Sequence, residues 1–338
     1  MPQNVNAPRG GYVLAERVKF DPNRAIVEIT IGDTEIHGIA DGATTNAVIK
    51  KLQQELKQTG DSELGRALAT ARFNVDVVVG MTDRERIAKL VQGRNRSVQV
   101  KEWSLANFKG QYDWIKDHID RVGGPFRGKI GWEENSGKQV SILDLISLLT
   151  LFHPVYDDPS ERRRKAPTVA FSSKGSNDKR LADEDMGEGF QRLKPVIEDV
   201  LRLHDHVYVD FVTTYKKYNE DFHQRSSRPT RRRGIGKEEN KAFALPLTGR
   251  MTKFRIDKGL MFPLLAAFRA LLGYKHDDAF WLVNPEEFFN EYGPDLMATL
   301  IEQYELCKSN PATTGKTKAV YTALHNQARL LLSEKLNA

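Results

Sequence analysis

The chain has 338 residues, 40% hydrophobic and 28% charged, enough apolar material for ordinary globular cores and a length that suggests two domains. Lys and Arg exceed Asp and Glu only modestly, 51 against 45, so net charge by itself assigns no partner and the placement of the charges matters more. A single cysteine, Cys307, excludes an intrachain disulfide and any cysteine-based metal cluster. It fits a reducing compartment and reads as a buried thiol in a helical stretch, with no His nearby in sequence to activate it. The N-terminal residues lack the apolar core of a signal peptide, and the most apolar stretch, residues 260–272, is too short to cross a bilayer and contains Arg269. A cytoplasmic protein with no membrane partner is expected.

In chain order, residues 1–11 read as a loose tail. Residues 12–20 and 25–30 alternate apolar and polar side chains about Asp21-Pro22-Asn23, a hairpin pattern. A second turn at residues 31–34 precedes a short strand over 35–39. From Thr44 the period becomes helical, with Val48, Leu52 and Leu56 on one face and Gly60-Asp61 at the end. Residues 73–79 are β-branched and bounded by Gly80, a strand, and Thr82-Asp83-Arg84-Glu85 has the spacing of a capping box for a helix over 86–91. Residues 93–97 form a basic turn, and residues 104–119 one helix with Leu105, Phe108, Tyr112 and Ile115 on a face.

Beyond Ile142 the character changes. An apolar helix over 142–152 ends at His153-Pro154, and residues 157–185 are polar and poor in large apolar groups. Residues 190–218 suggest one long helix kinked at Pro195. Residues 224–240 are polar and basic, and 243–256 suggest a hairpin turning at Thr248-Gly249-Arg250. The rest reads as helices over 261–272, 285–292, 295–309 and 317–335. The expected architecture is α+β or α/β: a mixed sheet with flanking helices over residues 1–125, then a mostly helical domain with basic loops over 126–338.

Two segments carry the chemistry. At Asp41-Gly42-Ala43-Thr44-Thr45-Asn46 a strand passes into a helix. A helix begins with unpaired N–H groups and the positive end of its dipole, Gly42 permits a sharp turn and close approach of a ligand, and Thr44 and Thr45 add hydroxyls. These are the parts of an anion site. Asp-Gly is also an ordinary turn and Asp or Thr an ordinary N-cap. Arg94, Asn95, Arg96 and Gln99 follow the helix after the second strand and form either a solvated loop or a cationic partner for the first turn.

Residues 39–49, Ile39-Ala40-Asp41-Gly42-Ala43-Thr44-Thr45-Asn46-Ala47-Val48-Ile49, resemble the NG-x-QT-type stretch of the abortive-infection phage-resistance (AIPR) family, and the DGQHR stretch of DNA-phosphorothioation regulators. Gly93-Arg94-Asn95-Arg96-Ser97-Val98-Gln99-Val100 resembles the second AIPR signature, an Asn followed by a Gln and a β-branched pair. The resemblance covers about residues 25–120, and those families are similar in turn to ParB-like nucleotide-binding domains. It implies a ParB-like N-terminal fold, a role in antiviral defence, and binding of a nucleotide or nucleic acid through Asp41 to Asn46 and Arg94 to Gln99. The identity of the ligand stays open, with a nucleoside triphosphate and Mg²⁺ as one candidate, and the chain would act alone, as a homo-oligomer or with an operon-encoded partner. The sequence departs from the related pattern by placing Thr45 or Asn46 where an Arg or a His-Arg pair would sit. The cation for a phosphate must then be Arg94, Arg96 or Arg72.

The densest basic runs, Arg162-Arg163-Arg164 and Arg228 with Arg231-Arg232-Arg233, suit sequence-independent phosphate contacts. Among the eight His residues, His204 and His206 are two apart on a helix and do not face one ligand. Asp157-Asp158 and Asp183-Glu184-Asp185 are the acidic runs for a Mg²⁺-dependent nuclease. No Walker A, G-x-S-x-G or H-E-x-x-H motif is present. The leading reading is a defence-associated nucleotide- or nucleic-acid-binding protein. The alternatives are a non-catalytic DNA-binding regulator and a nuclease.

Overall fold

The structure is a computed structural model that describes residues 11–72, 74–94, 101–122, 125–157, 166–173, 180–181, 184–222 and 234–337. It is mixed α+β and forms two compact units, residues 1–110 and 111–338.

The first unit is built on strands β1 (Gly11–Ala15), β2 (Arg17–Asp21), β3 (Ile26–Thr30), β4 (Gly38–Asp41) and β5 (Val75–Val79). β1 is the middle of a three-stranded sheet in the order β4-β1-β5, antiparallel to β4 and parallel to β5. Alternation sends Tyr12 and Leu14 to one face, where they meet Ile87 in a small core joined by Ala40, Val78, Leu90 and Phe108. The strand expected over 12–20 is divided at Glu16. Its first half enters the sheet, and its second half pairs with β3 in the expected hairpin, where Asp21 Oδ1 accepts from the amides of Asn23 and Arg24. The strand expected over 35–39 lies three residues later, because the amides of Ile36 and His37 donate to the Asp33 carbonyl and hold that stretch in a turn.

Helices α1 (Ala43–Thr59) and α2 (Ser62–Thr70) follow β4; α3 (Arg84–Arg94) follows β5, and then comes α4 (Glu102–Phe108). Gly60 ends α1 at φ 65, as its sequence position suggests. The N-cap of α3 is Asp83, which accepts from the amides of Glu85 and Arg86. The single helix expected over 104–119 is two, α4 and α5 (Asp113–Val122), with Gly110 at φ 78 between them. The unit boundary falls at this break rather than at residue 125. α5 belongs to the second unit, with Tyr112, Ile115 and Ile119 fully buried.

In the second unit a short parallel pair, β6 (Ile130–Gly131) and β7 (Val140–Ser141), leads into α6 (Ile142–Phe152), whose residues are buried on nearly every side. Ser141 and Asp144 close a reciprocal capping box at its start. After α7 (Val169–Ser172) and α8 (Glu184–Arg192), a 3-10 turn at Lys194–Val196 holds Pro195, so the helix expected over 190–218 begins afresh as α9 (Ile197–Phe222). β8 (Lys237–Ala244) and β9 (Met251–Arg255) form the expected hairpin. α10 (Lys258–Ala267) is buried from Gly259 onward and runs into a 3-10 turn, Phe268–Leu271. A second hairpin, β10 (Leu272–Lys275) with β11 (Asp278–Trp281), follows. Two expected helices are one, α11 (Pro285–Leu306), which runs straight through Pro294. α12 (Pro311–Lys316) and α13 (Lys318–Asn337) complete the bundle, and Cys307 is buried at the end of α11. Among the described residues no helix is long and apolar enough to cross a membrane.

His153 terminates α6. Its Nδ1 accepts from the Val155 amide at 3.2 Å and its Nε2–H donates to the Met186 carbonyl at 2.8 Å, which fixes a neutral tautomer. Burial lowers the ring to about 4 from 6.5, against the Met186 hydrogen bond and with the help of Arg269 and Arg192. The folded value lies below the unfolded one. Its contribution is therefore complete above pH 6.5 and is lost as pH falls to about 4, a swing on the order of 3 kcal/mol. Denaturant unfolding from pH 7 down to 4 should show this loss, and His153→Asn, which keeps a capping acceptor, should flatten it. The same pH slope in both proteins would place the acid sensitivity elsewhere.

Candidate functional site

Asp41 ends β4, and Gly42 carries the chain into α1 at φ 88 and ψ 12, the left-handed region that favours glycine. Asp41 Oδ1 accepts from the Gly42 amide at 2.7 Å. Among the described residues no side chain caps α1. The Asn46 amide is bonded to the Gly42 carbonyl at 2.9 Å, so the amides of Ala43, Thr44 and Thr45 lie in the first turn, ahead of the helical ladder. Thr45 is exposed and Asn46 half-buried. The local chemistry is that of an anion site: consecutive amide donors at the positive end of a 17-residue helix, reached over a residue with no Cβ.

The register places this turn within its unit. Asp41 pairs with Tyr12, and Gly11 pairs with Val75, so Asp41 stands at the end of the sheet where β1 and β5 begin. Arg72 enters β5 at that same end. Its guanidinium donates to the carbonyls of Ala69 and Ala71 and is exposed. α3 lays Ile87 and then Leu90 on the Tyr12–Leu14 core, and as it runs back along the sheet it carries Arg94 toward the same end. It arrives with its carbonyls, so positive charge on that side has to come from side chains. The side chain of Arg94, and Asn95, Arg96 and Gln99 entirely, lie outside the described residues, as do Arg162, Arg163, Arg164, Arg228, Arg231, Arg232 and Arg233.

In the second unit the His204–His206 segment of α9 is a tie between elements. Asp205 is fully buried; Thr248 donates to it from its amide at 2.9 Å and its hydroxyl at 2.6 Å, and His204 Nδ1 lies 2.8 Å away. His206 points elsewhere. Its Nε2 meets Asn290 Oδ1 at 2.8 Å, its Nδ1 accepts from Arg250 at 2.9 Å, and Asp210 and Glu286 stand 3.6 Å from that nitrogen. These contacts bind α9 to the β8–β9 turn and to α11. Among the described residues no group of three or more His, Cys, Asp or Glu is placed to hold a metal ion. Of the acidic runs, Asp157 lies 2.8 Å from Arg269 and 3.4 Å from His325, and Asp158 and Asp183 lie outside the described residues.

The buried Arg269–Asp157–His325 cluster is absent from the sequence reading. Arg269 is 5% exposed, donates to Asp157 from Nε and to the Leu151 carbonyl from Nη1, and stacks over Tyr156. The available signal was a guanidinium in the middle of an apolar run, which has to find a buried acceptor.

No protein family, curated protein or solved structure matches the chain.

Burial tends to raise the Asp205 carboxyl, but the hydrogen bonds from His204 and Thr248 outweigh it and hold the group below its ordinary value. Its contribution is therefore present above the unfolded value of about 3.9 and is lost as pH falls through the lower folded value. Asp205→Ala strands the Thr248 donors and should cost about 2–3 kcal/mol at pH 7 by denaturant unfolding. A change within a few tenths would mean that the tie is not a structural one.

Proposed function

We propose that the chain is a nucleotide- or nucleic-acid-binding protein of AIPR-like, antiviral-defence type, acting in the cytoplasm, with the Asp41–Asn46 turn as its phosphate contact. The observation that carries this reading is the left-handed turn at Gly42, which opens the uncapped start of α1 at the sheet end where Arg72 enters β5. Arg72 takes the place of the motif arginine that the turn lacks. The hydrogen bond between Asp41 and the Gly42 amide favours binding over catalysis, since the carboxylate is occupied in shaping the turn. A nucleoside triphosphate with Mg²⁺ is the preferred ligand. The basic segments around Arg162–Arg164 and Arg228–Arg233 add salt-sensitive affinity for DNA or RNA, and a homo-oligomer or an operon partner completes the system.

Titration of the full chain with each nucleoside triphosphate plus Mg²⁺ at low salt tests this. One nucleotide should raise the unfolding temperature saturably, and Thr45→Val and Arg72→Gln should each weaken it about tenfold, the loss of one charge-assisted hydrogen bond. Absence of any nucleotide or nucleic-acid binding at low salt would overturn the proposal. Hydrolysis abolished by Asp41→Ala would overturn its non-catalytic part.

A further inference from the structure

The three-stranded sheet of the first unit has one covered face and one bare face. Tyr12, Leu14, Ala40 and Val78 point to the side where Ile87 and Leu90 of α3 and Phe108 of α4 pack. The alternate residues, Val13, Ile39, Val75, Val77 and Val79, point to the other side. The register sets Ile39, Val13 and Val77 next to one another across the three strands. All five are β-branched aliphatics, yet Ile39, Val75 and Val79 are 47%, 45% and 50% exposed.

The same unit carries a helical pair that has not buried its own apolar side. No described residue of α1 or α2 is fully buried. Val48, Leu52 and Leu56 repeat every four residues along α1, and Val48 is 51% exposed. Leu56 lies beside Gly65 of α2, which adds Leu64 and Leu68 at the same spacing. A stripe of this kind marks the side of a helix that meets a core. A nine-residue helix such as α2 is not held by propensity alone.

The chain path brings the two surfaces together. β1 lies between β4 and β5, so the α1–α2 connection leaves one edge strand and returns to the other. Both tethers stand at one end of the sheet, since Asp41 pairs with Tyr12 and Val75 with Gly11. Gly42, at φ 88, is the first hinge, and Ala71, extended at ψ 137, is the second. With α3 and α4 on one face, only the bare face is open to the pair, and helices on both faces of a sheet are a stable layer arrangement. Size selects the same occupant. With strands about 4.8 Å apart and a rise of about 3.3 Å per residue, the bare face measures on the order of 200 Å². A stable dimer takes about 800 Å² from each partner, whereas helices about 10 Å across cover a face of this size.

We propose that the α1–α2 pair is a lid that closes over the bare sheet face, turning about Gly42 and Ala71. In the closed state Val48, Leu52 and Leu56 lie on Ile39, Val13 and Val77. Because α1 begins at Gly42, closure turns the amides of Ala43, Thr44 and Thr45 with the helix. The lid stands on apolar packing and does not rest on phosphate binding.

Cross-linking of the full chain with a short bismaleimide tests this. Val13→Cys is paired with Leu52→Cys and, for comparison, with Gln54→Cys on the opposite side of α1; Cys307 is buried and stays in place. The Val13–Leu52 pair should link within one chain roughly tenfold faster than the Val13–Gln54 pair. Ile39→Lys on the sheet and Val48→Lys on the helix put a charge into the closed contact from either side, and each should slow the Val13–Leu52 link roughly tenfold. Both positions are exposed in the open arrangement, and circular dichroism checks that the variants fold. Equal rates for the two pairs, or a Val13–Leu52 rate unchanged by both lysines, overturns the proposal. Links that form only between chains overturn it as well and give the face to a second copy. No nucleotide enters the experiment, so its outcome is separate from that of the phosphate contact.

Discussion

Two helices that are apolar on every side cannot face water, and the second unit is arranged to surround them. α6 buries all but Asp144 of its residues, and α10 is buried from Gly259 to Ala267. Each leucine so covered is worth about 1.5–3 kcal/mol, so exposure of either helix would cost more than a typical domain has to spare. The long helices α9, α11 and α13 supply the cover. The backbone is shaped to allow close approach: the Cβ that a side chain at Gly259 would carry would lie 2.0 Å from the Pro311 carbonyl, and at Gly315 it would lie 2.8 Å from Gly259 Cα. Several polar groups enter this interior in hydrogen-bonded sets. Asp205 comes with Thr248 and His204, His153 with Met186 and Val155, and Arg269 with Asp157 and Leu151.

Among its described residues the first unit has no comparable interior. Its core is centred on Tyr12, Leu14 and Ile87, with partly buried neighbours, and α2 buries no residue fully. Local devices therefore carry much of its definition: Asp21 in the hairpin turn, Asp33 before β4, Asp61 at the start of α2, Asp83 at the start of α3 and Gly60 at the end of α1. A unit of this kind gains proportionally more from a ligand bound at its sheet end, because a small core leaves folding sensitive to every further interaction.

Legibility in the sequence followed the same division. Signals that are local and chemically enforced were readable: Asp21-Pro22-Asn23, Gly60, the β-branched run before Gly80, the apolar run ending at His153-Pro154, and Thr248-Gly249-Arg250. What was misplaced depended on neighbours. α2 has too short a stripe, Leu64 and Leu68, to declare itself. Pro294 reads as a breaker, yet α11 continues through it because burial of Phe288, Phe289, Leu296 and Met297 outweighs the one lost backbone hydrogen bond. The β10–β11 hairpin turns on His276 and Asp277, at φ 49 and 70, with no glycine to mark it. At the candidate site, residues 41–46 showed the turn itself, and the structure added its backbone conformation and the sheet register that brings Arg72 to the same end. No spacing in the sequence links Arg72 to Asp41, since 31 positions separate them and only the pairing of β1 with both β4 and β5 joins them.

That pairing bears on what kind of anion the turn would prefer. Asp41 keeps a carboxylate two residues before the free amides, and its hydrogen bond to Gly42 holds it there. A bare phosphate approaching α1 meets this negative charge before it gains all of the amide donors. A phosphate carrying Mg²⁺ does not, because the cation screens the carboxylate and can share an oxygen with it. On the proposed reading, the acidic residue that looks misplaced beside a phosphate is therefore a filter. It disfavours inorganic phosphate and leaves metal-complexed nucleotides, whose remaining charge falls to Arg72.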